Sequence, residues 1–392
     1  MKLNKLFVSA LAALAVVACS KDGDPVTEGP ENGQGLSVTV SLRTSGSAAV
    51  QTAGKGTRAE VDDFSSTAIT LREIKVFFAD GENGNILESR EFSETDITEK
   101  KAVFHSINPS ATHAVVAANC NELLTATPAT VAALKNIQLD LTSYQGLADV
   151  PLMSAVGALV PNESEHPTTP GETDVNWCKV ELTVAPVLAR IEIGGNLEIA
   201  AGAEGRFVYT DFTPKHVGLN GLYEKCTLTG GTVNGAARIY ANSNAVGFPV
   251  LSTVGSVTAT PQWMYNEFQT TAQQNMIQAT DHTVDLGKVY AYNVMPEDKP
   301  EITVQFASTP IPADELAGSA IVPVSPKAYI KIVNFSKDGA TEKLEAGKIY
   351  KIDGISFTQD KITMLDDQVL CVEVTVTVRD WEIVTVTPEF GK

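Results

Sequence analysis

At 392 residues, with 43% hydrophobic and 19% charged side chains, the chain has the composition of a folded globular protein and room for two cores. Its 29 Lys and Arg stand against 47 Asp and Glu, a formal net charge of −18 with no basic cluster. Such a surface repels phosphate backbones, so nucleic acid is not an expected partner.

Lys2 and Lys5 form a short basic region ahead of an apolar run at 6–17, followed by the small Ala18 and then Cys19. The run is too short to span a bilayer as a mature helix and reads as a signal peptide. Cys19 directly after Val16, Val17 and Ala18 is the pattern of a bacterial lipobox, in which the thiol is acylated before cleavage. Several acyl chains on one residue anchor firmly, since each buried methylene contributes about 0.8 kcal/mol. The expectation is export and a lipid tether.

Residues 20–35, rich in Gly, Asp, Glu, Asn and Pro, read as a flexible spacer. Next, Leu36, Val38, Val40 and Leu42 alternate with Ser37, Thr39, Ser41 and Arg43, the period-2 pattern of a strand with one apolar and one polar face. The small-residue stretch 44–57 follows and closes on Arg58 and Ala59, an exposed trypsin-like cleavage point. Strands are expected at 69–78, 101–107 and 114–118, with a turn at 80–84. Thr127 and Pro128 read as the start of a helix carrying Val131, Leu134 and Ile137 on one face. The polar stretch 161–176, with Pro167 and Pro170, is a candidate inter-domain loop.

The second half predicts strands at 179–184, 188–193, 205–209, 225–228, 236–240, 289–294, 302–306, 328–333 and 348–357, with helical periodicity nearly absent. A β-sandwich is the expected architecture. The closing stretch is the clearest strand of all: Val372, Val374, Val376 and Val378 alternate with polar residues. After Asp380 the apolar set changes phase, resuming at Trp381, Ile383, Val384 and Val386 and ending near Phe390. Four units follow: a signal peptide at 1–19, a spacer with a removable strand at 20–58, and β domains at 59–176 and 177–392.

No catalytic constellation stands out. His105, His113, His166, His216 and His282 are scattered without metal-ligand spacing, and no nucleophile elbow, phosphate loop or dinucleotide fingerprint occurs. The acid pairs Asp62–Asp63 and Asp366–Asp367 read as solvated loop residues. No enzyme, cofactor or metal is expected. Cys120, Cys178, Cys226 and Cys371 are an even set in an exported chain, and disulfides and buried thiols are both open.

Taken in order, the lipobox ending in Ala18 and Cys19, the spacer, the strand 36–42, Arg58 with Ala59, and the Val-rich end carrying Asp380 and Trp381 resemble the type V pilins. These are the FimA-like and Mfa-like fimbrilins of the Bacteroidales. Leu188 to Ile191 and Leu344 to Tyr350 are similar to the same family. The resemblance implies two tandem transthyretin-like Greek-key β-sandwich domains and export as an outer-membrane lipoprotein. It further implies cleavage after Arg58 by an extracellular Arg-specific protease, which removes Leu36, Val38, Val40 and Leu42 with their strand.

The vacated groove would take Trp381, Ile383, Val384, Val386 and Phe390 of another subunit, giving a homopolymer with other fimbrial subunits as further partners and a role in adhesion and biofilm formation. A shaft position is expected, because Arg58 argues against an anchor and the chain end at Lys392 against an elaborate tip. The alternatives are an anchor or tip subunit, a lipid-anchored glycan binder using Trp263 and Tyr265, and a lipid-anchored hydrolase.

Overall fold

The structure is a computed structural model of the chain. It describes residues 35–44, 60–61, 68–145, 150–162, 176–200, 207–209, 211–236, 238–239, 265–267, 274–275, 282–296, 300–307, 310–312, 328–337, 340–341, 343–364, 371–375, 377–380 and 382–385. The chain is mostly strand, as its period-2 patterning predicts.

The first half is built from β1 (Leu36–Thr44), β2 (Glu60–Val61), β3 (Ala68–Leu71), β4 (Ile74–Ala79), β5 (Ile86–Glu91), β6 (Lys101–Ile107) and β7 (His113–Ala118). There follow β8 (Gln138–Asp140), β9 (Leu152–Ser154), β10 (Gly157–Ala158), β11 (Val160–Pro161), β12 (Asn176–Pro186) and β13 (Ala189–Ile199). One sheet runs β5-β4-β7-β9-β12-β1-β6, with β10 beside β7 and β11 beside β12. Although β4 and β6 lie near opposite ends of that order, Phe78 of β4 and Phe104 of β6 meet edge to face at 5.9 Å. Phe92 joins them at 5.6 Å from Phe104. The sheet therefore curls over a shared core rather than lying open.

Two short helices cap this half. In α1 (Glu94–Glu99), Ser93 and Asp96 form a reciprocal capping box, which explains a helix the hydrophobic pattern alone does not announce. In α2 (Val131–Lys135) the N-cap is Thr130, whose hydroxyl accepts from the Ala133 N–H. The helix thus starts later than Thr127 and Pro128 suggest, and Val131 and Leu134 are buried as their spacing predicts.

The polar stretch at 161–176 joins β11 to β12, which pair antiparallel in this same sheet. Because β12 also pairs with β1 and β9, the chain leaves the first sheet only at Val187 and Leu188, later than a division at 176/177 would place the passage.

The second half has two facing sheets. One runs β2, Val289–Val294, β13, Lys348–Phe357, Thr377–Asp380, and the other Tyr265–Glu267, Asp211–Asn220, Glu301–Ala307, Ala328–Lys337. Phe306 stacks on Phe357 at 5.7 Å between them, and the Tyr292 hydroxyl donates across to Asn266 Oδ1 at 2.8 Å. At Gly195, between β13 and Lys348–Phe357, φ is +73° and an added Cβ would stand 1.6 Å from the Asp353 carbonyl oxygen. Only glycine allows that approach, and the ladder shifts register there.

The closing stretch is divided where its alternation reads as one strand. Cys371–Thr375 runs parallel beside Ala328–Lys337, whereas Thr377–Asp380 runs antiparallel beside Lys348–Phe357, so the two described segments belong to different facing sheets. Alternation reports two unlike faces and says nothing about which neighbour each segment finds. Beyond Asp380 the phase change holds: Glu382–Thr385 pairs with neither sheet but runs parallel to β3.

Candidate functional site

β1 is an interior strand. It runs parallel to β12 from Leu36 opposite Asn176 to Thr44 opposite Val184, and antiparallel to β6, with Val40 opposite Ala102 and Ser41 opposite Lys101. The Leu42 N–H donates to the Lys100 carbonyl at 2.8 Å on the β6 side. Leu36, Val38, Val40 and Leu42 are 6%, 0%, 0% and 6% exposed, so all four predicted apolar positions come together in the core.

The other face of β1 is polar, as its pattern predicts, but it is enclosed along most of its length. Ser37 and Thr39 are 0% and 3% exposed. Ser37 Oγ hydrogen-bonds His105 Nδ1 at 2.9 Å, and the His105 ring meets the Trp177 ring edge to face at 5.7 Å. Only toward its end does this face open, at Ser41, beside a hollow of about 520 Å³ lined by Thr39, Ser41, Lys101, Lys179 and Glu181. A sequence signal for the enclosure exists in retrospect: between Leu36 and Leu42 the polar positions hold only Ser and Thr, and the first charged side chain is Arg43. Arg43 pairs with Glu181, both largely exposed, and such a pair adds little.

Cys178 is the β12 partner of Val38 and stands half-buried against the core. Burial pushes its thiol above the ordinary cysteine value. Cys120 and Cys226 are buried, burial first and Glu73 next pushing the Cys120 thiol up to about 12. No disulfide joins these three.

The chain on either side of the expected cleavage point is held in different sheets. β1 ends at Thr44 in the first sheet, and β2 begins at Glu60, opposite Tyr290 in the strand Val289–Val294. Arg58 and Ala59 lie outside the described residues, as do Cys19, Trp381, Val386 and Phe390. Ile383 and Val384 stand in Glu382–Thr385, opposite Ile69 and Thr70 of β3. Of the two candidate glycan-binding aromatics, Trp263 is outside the described residues and Tyr265 pairs with Gly218 in a sheet.

No family model and no curated protein matches the chain. Solved structures do. A candidate cell adhesion protein from Bacteroides eggerthii superposes with a TM-score of 0.55 at 16% identity, covering 91% of this chain and 98% of its own. The fimbrilin FimA from Porphyromonas gingivalis superposes with a TM-score of 0.54 at 14% identity, covering 90% of this chain and 99% of its own. A candidate cell adhesion protein from Parabacteroides distasonis gives 0.51 at 12% identity, covering 88% and 99%. At these identities the likeness is one of fold: the chain has the fold of the fimbrilins along nearly its whole length.

Proposed function

We propose that the chain is a shaft subunit of a cell-surface fimbria. It is exported as a lipoprotein on Cys19 and cut after Arg58 by an Arg-specific protease. It then loses β1 and takes the terminal strand of another copy into the vacated groove. The observation that carries this reading is the placement of β1: it is an interior strand with its apolar side chains in the core, yet it belongs to a different sheet from the next strand, β2. A cut between Thr44 and Glu60 therefore shortens neither β1 nor β2.

Removing β1 takes four buried apolar side chains from the core and exposes backbone groups along both β6 and β12. At about 1.5–3 kcal/mol for each side chain, the open groove forfeits roughly 6–12 kcal/mol, a strong drive for refilling. A terminus inserted into the groove of a neighbour makes a head-to-tail contact that does not close on itself, and such contacts build filaments. The fold shared with the fimbrilin of Porphyromonas gingivalis supports the same reading.

The test is processing and assembly on cells. The wild-type chain is expected in high-molecular-weight fibres with Ala59 at its N-terminus. Arg58→Ala is expected to remain a lipidated monomer, and a chain lacking residues 385–392 to be cleaved without polymerising. Fibres of normal length from either variant would overturn the corresponding step.

A further inference from the structure

Resting on that reading, we infer the register in which the donor strand binds. Residues 384–390 of one copy fill the groove of the next, with Val384, Val386, Pro388 and Phe390 in the places of Leu36, Val38, Val40 and Leu42. Thr385, Thr387 and Glu389 take the places of Ser37, Thr39 and Ser41.

The groove itself selects this alignment. Six of its seven places admit no charge: the four core places, and those of Ser37 and Thr39, which are 0% and 3% exposed. An ionised carboxylate left unpaired in any of them is the most unfavourable single event available. Only the place of Ser41 is half-open.

The terminal sequence carries acids at Glu382 and Glu389. Sliding the segment so that Ile383 takes the place of Leu36 drives Glu389 into the place of Leu42. One step further puts Glu382 into the place of Leu36. Sliding the other way drives Glu389 into the place of Val40, and then into that of Thr39. The proposed register alone leaves Glu382 outside the groove and sets Glu389 at the half-open place. There half-buried Lys101 of β6 and exposed Glu181 of β12 flank it, charges of opposite sign that do not decide the outcome.

The earlier stretch 372–378 has the same alternation but sets Glu373 at the enclosed place of Ser37. It is also committed at home, since Cys371–Thr375 and Thr377–Asp380 are paired into both facing sheets. Among the described residues Glu382–Thr385 pairs only with β3, over four residues. Withdrawing it opens neither large sheet.

One place fits imperfectly. The Leu42 N–H faces β6, donating to Lys100, so the residue two before it, opposite Ala102, faces the same edge. Pro388 has no N–H to give there. Pro388→Val is therefore expected to make the polymer dissociate roughly fivefold more slowly, the effect of one net hydrogen bond.

Cys178 supplies a direct test, because it is the partner of the Val38 place, and adjacent strands hold paired Cα atoms about 5 Å apart, within disulfide reach. Full-length Val386→Cys, Val384→Cys and Val374→Cys variants are cleaved with an arginine-specific protease, left to polymerise and oxidised with diamide. Val386→Cys is expected to give a ladder of disulfide-linked subunits on a non-reducing gel, abolished by adding Cys178→Ser, and the other two to give none. A ladder from Val384→Cys overturns the register in favour of a two-residue slide, and one from Val374→Cys in favour of the earlier stretch; both leave strand donation standing. Polymers with no Cys178-dependent ladder from any variant overturn the register together with the groove as the docking place. Failure of the cleaved wild-type chain to polymerise overturns the function proposed above.

Discussion

Cys178 reports on the groove from inside. Its thiol is pushed above the ordinary cysteine value by burial, and a thiol alkylates through its thiolate, so a raised pKa means little reactive form at pH 8 and slow labelling. Taking β1 away removes Val38 from its flank, relieves the burial, brings the pKa back down and speeds alkylation. Maleimide labelling followed by intact-mass measurement is expected to be slow before cleavage, on the order of tenfold faster once β1 has left, and slow again in the polymer. Cys120, with its thiol pushed up to about 12, stays unlabelled throughout and serves as the internal reference. Equal Cys178 labelling in all three states would mean that β1 remains seated after the cut. At this scale the period-2 pattern already names Leu36, Val38, Val40 and Leu42 as core. What it misses is the enclosure of Ser37 and Thr39, because a hydroxyl side chain looks the same in sequence whether it meets water or, as Ser37 does, a partner such as His105.

Among the elements, β12 and β13 carry the connection between halves, and the joint is polar. Arg190 and Glu192 of β13 are 1% and 0% exposed, with Arg190 Nε 3.0 Å from Glu192 Oε1 and Nη1 donating to Asn293 Oδ1 at 3.1 Å. Asn293 in turn donates to the Tyr144 carbonyl at 2.6 Å and accepts from Gln145 Nε2 at 3.1 Å, tying the turn Leu141–Tyr144 of the first half to the strand Val289–Val294. β8 adds a second tie by pairing with Lys225–Thr227.

A buried ion pair contributes little net stability, but breaking it strands a charge. Arg190→Leu is thus expected to lower urea stability by about 3–5 kcal/mol, and Arg190→Leu with Glu192→Leu to recover most of the loss. A double variant as unstable as the single one would show that the carboxylate left behind is not the cause. Strands are expected at 101–107, 289–294 and 348–357, and they lie at Lys101–Ile107, Val289–Val294 and Lys348–Phe357. The partner of each strand does not follow from its pattern, and for that reason the closing stretch, continuous by pattern, has Cys371–Thr375 in one sheet and Thr377–Asp380 in the other.

For the molecule as a whole, the energetics of the open groove set the order of events. Total stabilities of folded chains are about 5–15 kcal/mol, and the open groove forfeits roughly 6–12 kcal/mol, so a subunit that has lost β1 stands close to unfolding. On the proposed reading it has to be refilled soon after cleavage, although copies that have lost residues 1–58 hold 23 Lys and Arg against 43 Asp and Glu and, at −20 each, repel one another over the Debye length. A synthetic peptide with the sequence of residues 384–392 separates refilling from polymerisation, since it brings the donor pattern without a second subunit. Added to a cleaved chain that lacks residues 385–392, at about 100 times its dissociation constant, it contributes about 2.7 kcal/mol. For domains of this size that is a rise in Tm of roughly 5–10 °C by calorimetry. A peptide in which Val386 is replaced by Asp places a charge where Val38 was fully buried and is expected to give no shift. If both peptides raise Tm equally, the stabilisation does not come from the core face of the groove, and the terminal segment acts elsewhere on the subunit.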